Sequence, residues 1–257
     1  MRALVAIYRK EMMGYFHSPI AYVLLVGFLA LSGYFFFSAV AIYSIASLQA
    51  MQNPLLVKMN LQEMVVMPLQ INMSVILMLI APLITMRLLA EEKRSGTMEL
   101  MVSYPLSDTC LVLAKFLAAW SFCLLMLAGT WVHIAILKWI AGDRLYLPAV
   151  AVGYLGLALM TGAFVAMGLM ASALTENQIV AAVVGFAGLL LVWVIGWSRA
   201  VVGAKMGKLL EQLSLSSHFN NFPKGVIDSF DVVYYLLFMG LLLFLTVRIL
   251  EAKRWKG

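Results

Sequence analysis

The chain has 257 residues, of which 64% are apolar and only 12% charged, with a formal net charge of +6. Soluble domains run at roughly 45–50% apolar and about 25% charged residues, so this chain cannot cover a water-facing surface of its own size. A soluble enzyme, a disordered chain and a nucleic-acid binder are excluded. An integral membrane protein remains, and its surplus of Lys and Arg reads as a topology signal.

Runs without Asp, Glu, Lys or Arg cover 12–57, 64–86, 116–137, 145–175, 177–198 and 232–247. A spanning helix needs about 20 apolar residues. The runs are continuously apolar rather than alternating, which selects helices over a β-barrel. The expectation is an all-α integral membrane protein of one domain with six transmembrane helices.

The segment before the first run is amphipathic. Leu4, Val5, Tyr8, Met12, Tyr15 and Phe16 share one helical face, and Arg2, Arg9, Lys10 and His17 the other, the pattern of an interfacial helix. Span 1 covers about 20–43. It is too long for a signal-peptide core and no small-residue cleavage site closes it, so it is read as retained. Span 2 covers 69–89, with Pro68 at its entry and Pro82 inside it as a kink. Spans 3, 4 and 5 cover 111–137, 148–173 and 179–197. The polar segment 198–231 is expected to hold one or two short helices re-entering the outer leaflet, and span 6 covers 232–250. Six spans put both termini on one side. That side carries 11 of the 18 Lys and Arg residues, against 7 on the other, which places the termini in the cytoplasm.

Convergent catalytic chemistry is missing. Cys110 and Cys123 have no metal-type spacing, and His17, His133 and His218 lie far apart, so neither a disulfide framework nor a metal site is expected. The eighteen methionines read as apolar filling. Lys115, His133 and Glu176 sit near span ends and read as ordinary boundary charges. The absence of a mid-depth carboxylate argues against a secondary transporter. A phosphate-cradling loop needs Gly-x-x-x-x-Gly-Lys-Ser/Thr; the nearest approach, Gly207-Lys208, fails at Val202 and at Leu209. Any ATP hydrolysis belongs to another polypeptide.

The densest charged segment is Glu91-Glu92-Lys93-Arg94-Ser95-Gly96-Thr97-Met98-Glu99, on the expected cytoplasmic side after span 2. One reading is a solvated loop whose charges set topology. The other is a docking element. Gly96 breaks the chain between two helical pieces, Thr97 caps the second with Glu99 in its first turn, and Leu100, Met101 and Tyr104 form an apolar stripe.

That segment, followed by Pro105-Leu106-Ser107 and Lys115, resembles the cytoplasmic signature of ABC-2-type transporter permeases. The six spans, the amphipathic N-terminal helix and the long last outer loop fit the same family. Ser214-Leu215-Ser216-Ser217-His218-Phe219, Lys224-Gly225-Val226-Ile227-Asp228, Asp231-Val232-Val233-Tyr234-Tyr235 and Leu250-Glu251-Ala252-Lys253-Arg254-Trp255 are similar to the branch that includes gliding-motility permeases.

The resemblance implies a permease subunit of an ABC exporter in the bacterial inner membrane. It has no cofactor of its own, ATP and magnesium being held by a soluble ABC ATPase. It also implies a second permease chain, identical or not. In the gliding-type alternative, ATP-driven motion passes to an accessory extracytoplasmic membrane subunit. Carried over by position, Glu91, Glu92, Gly96, Thr97, Glu99, Leu100 and Met101 are the coupling residues between spans 2 and 3. The acids would pair with basic residues of the ATPase while Leu100 and Met101 pack into its groove. His218, Phe219 and Asp228 are placed at an extracellular gate. Small residues recur at four-residue spacing in Ala158, Gly162 and Ala166 of span 4 and in Ala181 and Gly185 of span 5, spacing that more often serves packing inside one subunit. Because the family's seam uses spans 1, 2 and 5, Ala181 and Gly185 are the interface candidates.

Overall fold

A computed structural model describes residues 2–52, 60–97, 107–200 and 203–254. Among them are six helices long and apolar enough to cross a membrane: Pro19–Ala50, Gln62–Arg94, Asp108–Arg144, Leu147–Leu174, Gln178–Trp197 and Ser229–Ala252. No strand occurs among the described residues. Helices are forced on such runs because bilayer hydrocarbon offers the backbone no hydrogen-bonding partner.

The six spans are not equivalent. In spans 2, 3 and 4, 72%, 61% and 78% of the most apolar window is buried, against 17%, 22% and 22% in spans 1, 5 and 6. Spans 2 to 4 are the packed core, and the other three present most of their surface outward.

Helix α1 (Arg2–Phe16) lies along the start of the third span. Its covered side is Leu4, Ile7, Tyr8, Glu11, Met12 and Tyr15, while Val5 and Phe16 are exposed. The stripe is rotated from the sequence expectation because protein, not lipid, covers it. Ile7 packs on Leu111 and Ala114, and Tyr15 stacks on Phe122 with ring centroids 5.0 Å apart. Helix α2 (Pro19–Gln52) forms span 1 and continues well past Tyr43. At 1.5 Å per residue its 34 residues reach about 51 Å, longer than a bilayer core of about 30 Å.

Span 2 begins earlier than Pro68. A π-helical turn, Gln62–Val66, runs into α3 (Met67–Thr85). Proline has no N–H to donate to the preceding turn, and the wider π turn accommodates that loss within a continuous helix. At the other end the helix is interrupted at Met86, one turn after Pro82, and resumes as α4 (Arg87–Arg94). Ser172 of span 4 enters the gap. Its Oγ accepts from Leu89 N (3.1 Å) and Ala90 N (3.0 Å) and donates to the Met86 carbonyl (2.9 Å). A side chain inserted in the ladder is a recognised cause of helix bending.

Span 3 comprises α5 (Asp108–Gly129) and α6 (Trp131–Ala141). Ser107 caps α5 by accepting from Cys110 N at 3.3 Å, and Asp108 lies in its first turn, where the helix dipole favours an acid. Span 4 is α7 (Leu147–Leu174), the most buried helix, and its glycines admit neighbours closely. A methyl on Gly153, Gly156, Gly162 or Gly168 would collide with Gln70, Phe222, Met239 or Thr85. Span 5 is α8 (Gln178–Val194), capped by Asn177. The segment after it carries the expected short helices, α9 (Ala204–Leu213) and α10 (Leu215–Phe219). Phe222 beyond them meets Gly156, nine residues into α7 and so about 14 Å along that helix. Span 6 is α11 (Ser229–Arg254).

Candidate functional site

Met86 keeps helical dihedrals, but the backbone ladder is interrupted there and Ser172 bonds across the gap, so side-chain contacts help to hold α4 in place. Adjacent residues on a helix point about 100° apart. Glu91 is exposed, whereas Glu92 is 9% exposed and turned inward. Its Oε1 lies 2.8 Å from Lys115 Nζ and 3.2 Å from Lys10 Nζ. Lys115 is 1% exposed, and the same ammonium lies 2.8 Å from Glu11 Oε1. Lys10 completes the cluster at 3.6 Å from Glu11. Two cations and two carboxylates thus join α1, α4 and α5 with no net charge. Glu92 Oε2 is buried without a hydrogen-bond partner among the described residues.

Burial of Lys10 pulls its pKa down, but Glu92 and Glu11 outweigh that and hold it above its usual 10.5. The folded value exceeds the unfolded one. The contribution of Lys10 is therefore present below pH 10.5 and lost as pH rises through the raised value. Next to the cluster, Arg87 donates to Ser18 Oγ (3.2 Å) and lies 5.4 Å from the centre of the Tyr15 ring. Tyr15 donates to the Ile84 carbonyl at 3.3 Å. Burial, reinforced by the Glu11 charge, raises its phenol well above the usual range.

Lys10, Gly14, Glu91, Ser95 and Thr97 rim an open cleft of about 340 Å³ whose floor is Glu11, Glu92 and Lys115. Gly96 has φ +68°, the left-handed region, and a methyl there would touch nothing. The chain break expected at Gly96 is therefore a backbone requirement. Ser95 Oγ donates to the Glu91 carbonyl (2.9 Å) and Thr97 Oγ1 to the Glu92 carbonyl (3.3 Å). Both hydroxyls thus satisfy the open C-terminal end of α4. Lys93 is bonded to the Ala173 carbonyl of span 4. Glu99, Leu100 and Met101, with the apolar stripe expected on them, lie outside the described residues.

The sequence reading missed Glu11 and took Lys115 for a boundary charge. One signal was available: Glu11 interrupts the apolar stripe of α1 between Tyr8 and Tyr15. His133 stacks on Phe36 at 5.2 Å and Glu176 is exposed in a turn.

At the opposite end, His218 and Phe219 share α10, while Asp228 stands apart. Asp228 Oδ1 accepts from Phe230 N at 2.9 Å, at the start of α11. The partner of His218 is instead Asp231, 2.6 Å from Nδ1. Asn221 Nδ2 donates to the other Asp231 oxygen at 2.9 Å, and the Gln212 carbonyl lies 3.0 Å from His218 Nε2. The imidazole stacks on Tyr234 at 3.9 Å. Phe219 is buried.

Ala181 and Gly185, the residues expected at an intersubunit seam, are packed within the subunit. Ala181 is fully buried, and a methyl on Gly185 would lie 3.4 Å from Ala171 Cβ and 3.6 Å from Pro82 Cβ. Both residues close the junction of spans 2, 4 and 5 inside one subunit. The outward face of span 5 is Ile179, Val183 and Leu191. Gly162, in contrast, serves the internal packing expected of it, against Trp120 and Met239.

Comparison with curated proteins returned no match. The family model described as ABC-2 family transporter protein matches residues 5–247, which include most of α1, spans 1 to 5, most of span 6 and the cleft between α1 and α4. With a match over nearly the whole length and six membrane-crossing helices in place, the chain belongs to the ABC-2 transporter family and is its multi-pass membrane component.

Proposed function

We propose that the chain is the permease subunit of an ABC exporter, driven by ATP hydrolysis on a separate soluble ATPase that docks at α4 and the loop after it. One observation carries this reading. The helix after the Met86 break presents Glu91 outward at the mouth of a cleft, while Glu92 beside it is bound inside the subunit. A short helix at the end of a core span, buried at Leu88, Leu89, Ala90 and Glu92 but exposed at Glu91 and Arg94, can receive force and pass it into spans 2, 3 and 4.

In this reading both termini face the cytoplasm of a bacterial inner membrane, as the distribution of Lys and Arg favours. ATP and magnesium belong to the ATPase. Glu91, with Glu99, Leu100 and Met101 beyond Gly96, forms the contact, and Glu92 acts from behind it. Two permease chains pair through surfaces other than Ala181 and Gly185; the aliphatic outward face of span 5 replaces them in the proposed seam. His218 and Phe219, with Asp231 in place of Asp228, form the extracytoplasmic closure. Affinity purification of the tagged chain in mild detergent is the test. A stoichiometric ABC ATPase that is lost in Glu91→Lys supports the reading; a properly inserted chain that brings down no ATPase refutes it.

A further inference from the structure

We propose that Lys115 is a positioning residue that locks α1, α4 and the start of α5 into one body, so that force applied to α4 reaches the amphipathic helix as well as the spans. The proposal rests on the permease reading and assigns that site its internal brace.

Three observations lead to it. First, the backbone ladder leading into α4 is interrupted at Met86 and bridged by the Ser172 hydroxyl, so the placing of α4 rests partly on side-chain contacts. Second, Lys115 is almost wholly buried, so its ammonium has no water to replace a lost partner. Its two carboxylate contacts, both 2.8 Å, lie on different elements: Glu92 on α4 and Glu11 on α1. Third, holding Glu92 inward fixes the rotation of α4 and so directs Glu91 outward. One side chain thereby sets the presented face of α4 and ties α1 to it. In the absence of Lys115, the ionic tie between α1 and α4 is the Lys10 to Glu92 contact, made by a side chain that is 57% exposed, beside the Arg87 guanidinium over the Tyr15 ring. A surface contact of that kind holds two elements weakly.

The competing role is charge balance alone: Lys115 would merely neutralise two buried carboxylates. Two variants separate the roles. Lys115→Met leaves two carboxylates to the single, largely exposed Lys10. The neutral triple Lys115→Met, Glu11→Gln and Glu92→Gln removes that penalty but also the tie. Full-length protein is purified in nanodiscs with the ATPase that accompanies it. Permease-dependent hydrolysis and amide exchange in α1 and α4 are then measured. Both variants should lower permease-dependent hydrolysis by roughly three- to tenfold and speed exchange in α1 and α4 together. A neutral triple variant with wild-type hydrolysis and wild-type exchange overturns the proposal. If the unmodified chain retains no ATPase, the permease reading fails instead, and the exchange measurement still judges the role of Lys115.

Discussion

Lys115 and Glu91 lie in the same neighbourhood and should respond to mutation in opposite ways. Removing one member of a buried ion pair costs about 3–5 kcal/mol, because the remaining charge is stranded. Lys115→Met should therefore lower the apparent unfolding temperature markedly, and the neutral triple variant should recover most of that loss. Charge reversal at exposed Glu91 should leave the unfolding temperature unchanged and affect only ATPase retention. Charge reversal at Glu92 should do both, since it places a third cation beside Lys10 and Lys115. Thermal unfolding in detergent, run beside co-purification, separates the three. Gly96→Ala adds strain alone, about 1–2 kcal/mol for a left-handed residue that gains a Cβ, and should loosen the following loop without disturbing the cluster. The acids of this region were legible in the sequence because charge is scarce in the chain. Their division of labour was not, since adjacent identical residues give no sign of which one turns inward. Lys115 was hidden by its position near the end of an apolar run, where a snorkelling lysine is the ordinary expectation.

At the scale of elements, each span was legible from continuous apolarity, and the mismatches have local causes. Pro68 looked like a helix entry because proline favours the first turn; the π turn before it lets the helix start at Gln62 instead. The face of α1 was assigned for lipid contact, and α5 covers a neighbouring face. Ser172 gave no signal, since a lone serine in an apolar span is commonplace, yet it supplies three hydrogen bonds to the interrupted ladder of span 2. The same junction contains a close approach that can be tested directly. A methyl on Gly168 would lie 2.0 Å from Thr85 Oγ1. Gly168→Ala should destabilise by about 1–3 kcal/mol, the usual range for overpacking. Combining it with Thr85→Ala should recover most of the loss, because the clashing hydroxyl is removed. A double-mutant cycle by thermal unfolding measures this coupling.

Across the whole molecule, burial divides the spans into a core of 2, 3 and 4 and a periphery of 1, 5 and 6. Small-residue spacing showed which positions share a face of span 5 but not which neighbour covers that face. Burial of Ala181 and Gly185 within the subunit moves the proposed seam to the outward face of span 5. Cysteines introduced at 183 or 191, on the outward face, should crosslink between two chains in membranes, while cysteines at 181 or 185 should not. Crosslinking at 181 or 185 instead would mean that the junction of spans 2, 4 and 5 opens.

The tie between α1 and α5 also bears on how the chain is made. Glu11 and Lys115 are 104 residues apart in sequence. At a synthesis rate of about 5–20 residues per second, Glu11 is made roughly 5–20 s before its partner. During that interval the α5 surface that covers the first helix has not yet been made, and its exposed apolar residues, Val5 and Phe16, give it the membrane surface as a waiting place. The nascent chain thus lies on the lipid first and is drawn onto the protein once span 3 has arrived.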